Sequence, residues 1–460
     1  MKILVTGATG YVGSKLIPKL VKAGHQVTCM VRNRSHVSEH ALGGARLVEA
    51  DALDANSLLP TLDGVDVGYY LIHSMAGDKA GFADRDRQAA VRNFATAAKQ
   101  AGVQRIIYLG ALTSQTSEVS LHLKSRHETG GVLREFGPPV TEFRAGIIVG
   151  DGSVSFEMIR YLTERLPVMI CPRWVITRTQ PIAIGNVIEY LLAALGVPES
   201  VAEIIEIAGA TVETYRSMML IYARARGLRR WLLRVSVLTP RRSSYWLNLV
   251  TPIRAAIARP LIEGLRTEVV CTSASAKRLF PAICPLTYTA AVEAALDRPV
   301  PDESFQHLFP RNARHASVRR EGLITDVRQA CLNASAEQVF AVLQGLGGKR
   351  RWLHANFLWQ IQGWVDRLLG GVGMRRSGSR DGQLKTGDCL DFWRIEQVAC
   401  PRSLLLRAEM KLPGRAWLQF LLTPDKGQTR LSCWAWFEPR GLAGEIYWWL
   451  LYPIHFLVRA

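Results

Sequence analysis

Three glycines, Gly7, Gly10 and Gly13, stand at three-residue spacing between a short apolar run, residues 2–6, and a stretch to about residue 23 with helical apolar spacing. A strand, a glycine turn and a helix in that order can hold a pyrophosphate. The first glycine permits the tight turn, the second lets the backbone approach the phosphates, and the third lets the helix pack on the sheet. The helix start then offers unpaired N–H groups and a positive dipole end to the anion. Residues 26–31 read as a second strand, which completes a βαβ unit and predicts dinucleotide binding; the alternative is a glycine turn that merely packs. That strand runs out into Val31-Arg32-Asn33-Arg34, where a site preferring NAD would carry an acid. An arginine there can pair with a 2′-phosphate, so NADP is expected, with NAD a possible second cofactor. The alternative for Arg32 is a solvated strand end.

The segment TGATGYVG, 6–13, has the spacing G-x-x-G-x-x-G and resembles the signature of extended and atypical short-chain dehydrogenases/reductases. The resemblance implies that Gly7, Thr9, Gly10, Tyr11, Val12 and Gly13 line the cofactor. It gives Asp51 and Ala52 to the adenine edge, where a helix N-cap is the other reading of Asp51. It adds Leu71 and Gly110, at the ends of strands expected over 66–72 and 105–109. His73 and Ser74 follow the first of these, at a carboxyl end where open α/β sheets bind ligands. Active members place a hydroxyl just after strand five and a Tyr-x-x-x-Lys pair on the next helix. Here strand five runs into Gly110-Ala111-Leu112, with Thr113 and Ser114 slightly later, and the helix reads HLKSRHETG. Aligning its S-R-H-E on the family's S-K-x-E puts His122 in the place of Tyr and Arg126 in the place of Lys. A histidine can donate a proton near neutral pH. An arginine can hold ribose hydroxyls or a phosphate but cannot be deprotonated. The alternative is that neither does chemistry and the cofactor stays bound, as in NmrA-like members of the class.

These residues need a doubly wound scaffold, and the chain supplies its pattern. Strands expected at 45–50 and from 140 alternate with helices, one of them over about 84–101, which implies a parallel sheet. Residues 151–300 look like the substrate lobe, with 172–195 as its pocket wall and 279–285 closing it, followed by a helix at 289–296. Within it, 214–262 holds ten arginines and no acid, interleaved with Tyr222, Trp231, Tyr245 and Trp246. Such a stretch can meet anionic headgroups, which would place the protein on the inner face of a membrane, or line a crevice whose arginines pair elsewhere. Residues 239–252 suit a helical flap.

Residues 297–316 carry three prolines and read as a linker. Beyond it the pattern changes: a strand at 323–332, a helix at 336–343 capped by Ser335 with Glu337, and period-two strands at 389–397, 403–411, 416–423 and 430–438. Turn residues separate these strands, so an antiparallel meander is expected. Trp352, Trp359 and Trp364 mark an aromatic helical region, and GLAGEIYWWLLYPIHFLVRA closes the chain as an apolar helix. This order resembles the START-like helix-grip fold. Segments such as LKTGDCLDFWRIE and MKLPGRAWLQF resemble the uncharacterised domain fused to NmrA-like proteins in bacteria. The expected organisation is therefore a Rossmann α/β domain with a substrate lobe over 1–300, a linker at 301–317, and an α+β helix-grip domain over 318–460.

Composition narrows the partners. The 460 residues, 48% of them hydrophobic, suffice for two or three cores. The net charge of +18 is spread along the chain without a lysine tract or zinc-finger spacing, so nucleic acid is not an expected partner. Eight scattered cysteines without a C-x-x-C pair point to buried thiols in a reducing cytoplasm, with no metal site. A strand beginning at Lys2 leaves no room for a leader, and no uncharged run is long enough to span a bilayer. The final helix reaches Ala460 without a capping glycine, which reads as a chain cut short there. The expected function is an NADP-dependent reductase of a small, apolar carbonyl or quinone-like molecule. The rivals are a non-catalytic NAD(P) sensor of NmrA type and a lipid-binding membrane-surface protein.

Overall fold

The computed structural model describes residues 1–34, 42–72, 80–113, 121–171, 173–234, 267–297, 314–346, 360, 363–364, 366–368, 370–373, 384–425 and 427–458. The chain forms two compact units, residues 1–163 with 167–298, and 299–460 with 164–166.

The first unit is built on a seven-stranded parallel sheet. In chain order its strands are β1 (Lys2–Val5), β2 (Gln26–Val31), β3 (Arg46–Glu49), β4 (Val67–Tyr70), β5 (Arg105–Ala111), β6 (Val140–Ala145) and, after the lobe begins, β11 (Ile204–Ile207). Their spatial order is β11-β6-β5-β4-β1-β2-β3, so the direction of winding reverses between β1 and β4. Alternate residues of these apolar strands feed two cores, as expected for a sheet covered on both faces. On one face, Ile3, Val5, Tyr69, Ile107 and Phe143 pack with α1 (Tyr11–Lys22) and α6 (Ile184–Ala193). On the other, Leu4, Met30, Tyr70, Ile106 and Tyr108 pack with α2 (Ala55–Leu62), α3 (Ala80–Gln100) and α4 (Leu121–Phe136). In α1 the buried residues are Gly13, Leu16, Ile17 and Leu20, the i, i+3, i+4, i+7 stripe that makes the segment helical in this context.

The rest of this unit is a lobe of short elements. β7 (Ile148–Val149) pairs with β10 (Ile182–Ala183), β9 (Arg178–Thr179) with β12 (Glu213–Thr214), and β8 (Val168–Cys171) with β13 (Trp231–Arg234). The helices α5 (Val154–Arg165), α7 (Tyr215–Ala225), α8 (Ser275–Leu279) and α9 (Tyr288–Leu296) complete it. The flap expected at 239–252 lies outside the described residues.

In the second unit a seven-stranded antiparallel sheet runs β14-β15-β20-β19-β18-β17-β16. Its strands are β14 (His315–Arg320), β15 (Leu323–Leu332), β16 (Cys389–Leu390), β17 (Trp393–Ala399), β18 (Ser403–Ala408), β19 (Gly414–Asp425) and β20 (Gln428–Pro439). One face takes Val339, Phe340 and Leu343 of α10 (Ala336–Gln344) against Leu404, Leu406, Leu418 and Ala435. Phe437, which follows Ala435 on that face, stacks with Trp448 of α11 (Gly441–Val458), ring centroids 5.6 Å apart. The opposite face carries Val327, Trp417, Trp434 and Trp436, all buried.

Several expectations change. The segment expected as a single strand from 389 to 397 is two strands, because Asp391 takes a positive φ of 55° and turns the chain. Ser335 does cap α10, but its partner across the box is Gln338 rather than Glu337, since the third helical residue is the one that can reach back to the cap's N–H. A strand begins at His315, inside the expected linker. Of the eight cysteines only Cys29 and Cys171 are buried, while Cys284, Cys331 and Cys400 are exposed, because these three stand in loops or on a strand's open side. Trp364 is exposed; Trp352 and Trp359 lie outside the described residues.

Candidate cofactor and active site

The reversal between β1 and β4 opens a crevice at the carboxyl ends of those strands, and the glycine turn lies there. Thr6 ties the two ends together: its hydroxyl donates to the Tyr69 carbonyl at 3.1 Å and accepts from the Leu71 amide at 3.1 Å. Gly7 has φ +66°, and a Cβ there would stand 2.5 Å from the Leu71 carbonyl oxygen. A side chain is thus excluded twice, by backbone conformation and by β4's exit. Gly13 is excluded by packing, with a Cβ only 2.4 Å from the Gly7 carbonyl oxygen. Gly10 differs. It caps α1 without a side-chain bond, its own amide donates to Gly7 at 2.9 Å, and a Cβ there would meet only the Gly7 carbonyl oxygen, at 3.0 Å.

The turn fits a dinucleotide's pyrophosphate. No acid occupies the first turn of α1, and the exposed Thr9 and Gly10 leave the approach to its amides open. Of the other turn residues, Val12 packs its side chain on the core, so only its backbone can serve a ligand. Tyr11 points toward the lobe: a Cβ on Gly150 would lie 2.5 Å from its hydroxyl. Leu71 is buried and contributes through the carbonyl that presses on Gly7.

Arg32 stands exposed at the end of β2, with no ion pair or hydrogen bond to its side chain among the described residues. The backbone amide of Arg34 donates to the Glu49 carboxylate at 3.2 Å. Asp51 is not the cap of α2; that place is taken by Asp54, which accepts from the Asn56 amide at 3.1 Å. Asp51 accepts instead from Leu53 at 3.0 Å, closing the loop after β3. Asn93 of α3 holds the same loop, donating to the carbonyls of Ala52 (3.2 Å) and Leu53 (3.1 Å). Sequence reading passed over Asn93; its signal is an amide set on the α3 face that carries Phe94 and Ala97.

The family's hydroxyl–Tyr–Lys site falls partly outside the described residues: His73, Ser74, Ser114 and the side chain of His122 are not among them. The backbone places His122 and Arg126 one turn apart on α4, hence on one face of that helix. Tyr108 of β5 donates to the Arg126 carbonyl at 2.9 Å and so fixes where this turn of α4 stands over the sheet. Burial lowers the Arg126 guanidinium from its ordinary range, and the neighbouring Tyr108 partly offsets this. Its Nε is buried without a hydrogen-bond partner among the described residues. Arg87 of α3 lies near the same Tyr108 and is also lowered by burial, with Glu128, Tyr108 and Tyr70 opposing. Tyr108 itself is pushed up to about 12 by burial, further from neutral pH than an ordinary phenol.

Gly110 stands within its strand rather than just beyond it. It lies inside β5, paired with Arg144, and a Cβ there would meet the Tyr108 ring at 3.2 Å. The strand runs two residues past the expected end. A further polar cluster lies behind α4: Glu142, 1% exposed, pairs with Arg134 and accepts from Arg144 Nε at 2.8 Å. Gly130 makes room for it, since a Cβ there would lie 2.5 Å from the Glu142 carboxylate. The adjacent glycines inside a helical pattern were the available signal.

Residues 7–136 match the NAD(P)H-binding family model, and residues 320–460 match a family described as a protein of unknown function, DUF2867. The Photosystem II assembly factor Ycf39 of Cyanophora paradoxa is 32% identical over 145 residues, 31% of this chain and 44% of that protein. The 2-alkyl-3-oxoalkanoate reductase of Stenotrophomonas maltophilia is 32% identical over 151 residues, 32% of this chain and 42% of the relative. The chain thus spans less than half the length of these curated relatives. Among solved structures, Citrobacter sp. triphenylmethane reductase complexed with NADP(H) superposes with a TM-score of 0.52 at 20% identity, covering 64% of this chain and all of that one; this likeness is one of fold.

Proposed function

We propose, from the premise that the chain carries an NAD(P)-binding Rossmann domain of the atypical, NmrA-like short-chain dehydrogenase/reductase type fused to a domain of unknown function, that it is an NADP-dependent reductase of an apolar carbonyl or quinone-like molecule. The observation that carries the NADP preference is Arg32, exposed and uncommitted at the end of β2 where a 2′-phosphate would lie. When bound, the nicotinamide supplies hydride. The residues supply the rest: amides of Tyr11, Val12 and Gly13 face the pyrophosphate, the loop held by Asn93 and Asp51 meets the adenine, and Arg126 holds ribose or phosphate oxygens with a cation that cannot exchange protons. His122, on the face of α4 that bears Arg126, is the proposed proton donor. The reductase named among the relatives acts on an oxoalkanoate, which supports a carbonyl substrate class. The C-terminal unit, read as a START-like helix-grip domain, suits an apolar ligand; its strand–helix–meander–helix order supports that reading.

The test is NADPH oxidation against a panel of apolar ketones and quinones. The His122→Phe variant should bind NADPH as before yet lose turnover by ~10²–10⁴-fold, the usual worth of general acid catalysis. Unchanged turnover removes His122 from that role. A second reading is favoured by one observation, a guanidinium at the family's lysine position: a sensor whose NADPH occupancy alters the protease sensitivity of residues 297–316. No oxidation with any substrate, together with such a change, would establish it over the first.

A further inference from the structure

The paired strands β8 and β13 carry an apolar face that stays exposed among the described residues of the first unit. In their parallel register Trp231 lies opposite Val168 and Leu233 opposite Ile170. Side chains alternate across a strand, so these four share one face, while Met169 and Cys171 point the other way and are buried. The outward face should be the polar one in a ribbon with one side against protein. Here it is 69% exposed at Trp231, 55% at Leu233 and 48% at both Val168 and Ile170.

Cations precede this face in the chain. Residues 224–234, RARGLRRWLLR, contain five arginines and no acid. Arg230 turns inward, its Nε donating to the Thr163 carbonyl. Arg224 and Arg229 remain exposed, and neither side chain has an ion pair among the described residues. A cluster of adjacent apolar side chains that includes a tryptophan, with exposed guanidinium groups two and seven residues ahead of it in the chain, matches the boundary between headgroups and acyl chains of an anionic bilayer. A second copy of this chain is a poorer fit, because each copy carries +18 and would bring the same arginines to the contact. No helix among the described residues is long and apolar enough to cross a membrane, so the contact is with a surface.

We propose that the β8–β13 face, with Trp231, Leu233, Val168 and Ile170 inserted and Arg224 and Arg229 at the headgroups, docks the protein on anionic membrane surfaces. The experiment is sedimentation of the full chain with vesicles of phosphatidylcholine alone or with one quarter phosphatidylglycerol, at low and high salt. Binding should need the anionic lipid and fall steeply with salt. Arg224→Glu/Arg229→Glu and Trp231→Ser/Leu233→Ser should each weaken it by at least about tenfold, the two arginines contributing on the order of a factor of five each at the surface. All four positions are exposed, and NADPH binding with an unchanged circular dichroism spectrum checks that the variants are folded. Equal binding to neutral vesicles, no binding to either kind, or undiminished binding by both variants overturns the proposal. So does a dimer of the unmodified chain, seen by analytical ultracentrifugation, that Trp231→Ser/Leu233→Ser converts to monomer with vesicle binding intact.

Discussion

The hydroxyl of Tyr108, buried on β5, donates to the backbone carbonyl of Arg126 on α4 at 2.9 Å. This bond joins the central sheet to the helix that carries both proposed active-site residues. Tyr108→Phe keeps the ring's packing and removes the hydroxyl, with its bond to Arg126 and its contact with Thr129. It should cost about 1 kcal/mol or somewhat more, since the Arg126 carbonyl is left without that donor. Urea denaturation measures the loss. A midpoint unchanged from the parent would show that this bond contributes nothing.

The glycine turn separates two kinds of failure. Gly7→Ala places a Cβ 2.5 Å from the Leu71 carbonyl in a backbone at φ +66°, so the protein itself should be destabilised, by several degrees or more in Tm. Gly10→Val meets only the Gly7 carbonyl oxygen at 3.0 Å and should leave a folded protein that no longer binds NADPH. Calorimetric titration alongside thermal melting distinguishes them. Full cofactor affinity in folded Gly10→Val would make the turn structural.

Replacing Arg32 by Ala should weaken NADPH on the order of 10–100-fold, equivalent to about 1.4–3 kcal/mol for a charge-assisted contact, and NADH far less. Equal losses for the two cofactors would take Arg32 out of 2′-phosphate recognition.

Glu142 sits between Arg134 and Arg144 with almost no solvent. Glu142→Gln removes the charge that both arginines share and should destabilise the first unit by about 3–5 kcal/mol, as when a buried pair loses one partner. Gly130→Ala should act through the same place, because its methyl would lie 2.5 Å from the carboxylate. Denaturation of the two single variants and the double variant should show non-additive losses. Strict additivity would separate the glycine from the carboxylate.

Thiol reactivity should follow environment. Burial pushes Cys29 and Cys271 up to about 12, so at pH 8 their thiolate fraction is negligible. The exposed Cys284, Cys331 and Cys400 should alkylate first. Peptide mapping after brief iodoacetamide treatment reads the order directly. His127 gives the acid side: burial, then Arg144 and Arg134, lower its imidazole below 6.5. The unfolded chain therefore binds the proton more readily, and stability should decline as pH falls from about 6.5 toward the folded-state value. His127→Gln should flatten that part of the stability profile.

Local periodicity by itself determined the βαβ start, both sheet types and the order of elements, because burying one stripe of a helix or alternate residues of a strand leaves a pattern in the chain. It also located Gly7, Gly10 and Gly13, whose spacing reflects one short turn. What pattern could not decide were relations between residues far apart in sequence. Leu71 forbids a side chain at Gly7 only because β4 lies beside β1, and Glu142 forbids one at Gly130 only because α4 crosses β6. Asn93 reaches the loop after β3 across α3, forty-one residues from Ala52. That β5 extends past Gly110 and that the Tyr108 ring borders it were likewise decided by the packing. The apolar face of Trp231 and Leu233 emerged only when β13 paired with β8, sixty-three residues earlier, and the pairing put four apolar side chains outward together. Periodicity reports which residues prefer to leave water; only the tertiary packing decides which of them succeed.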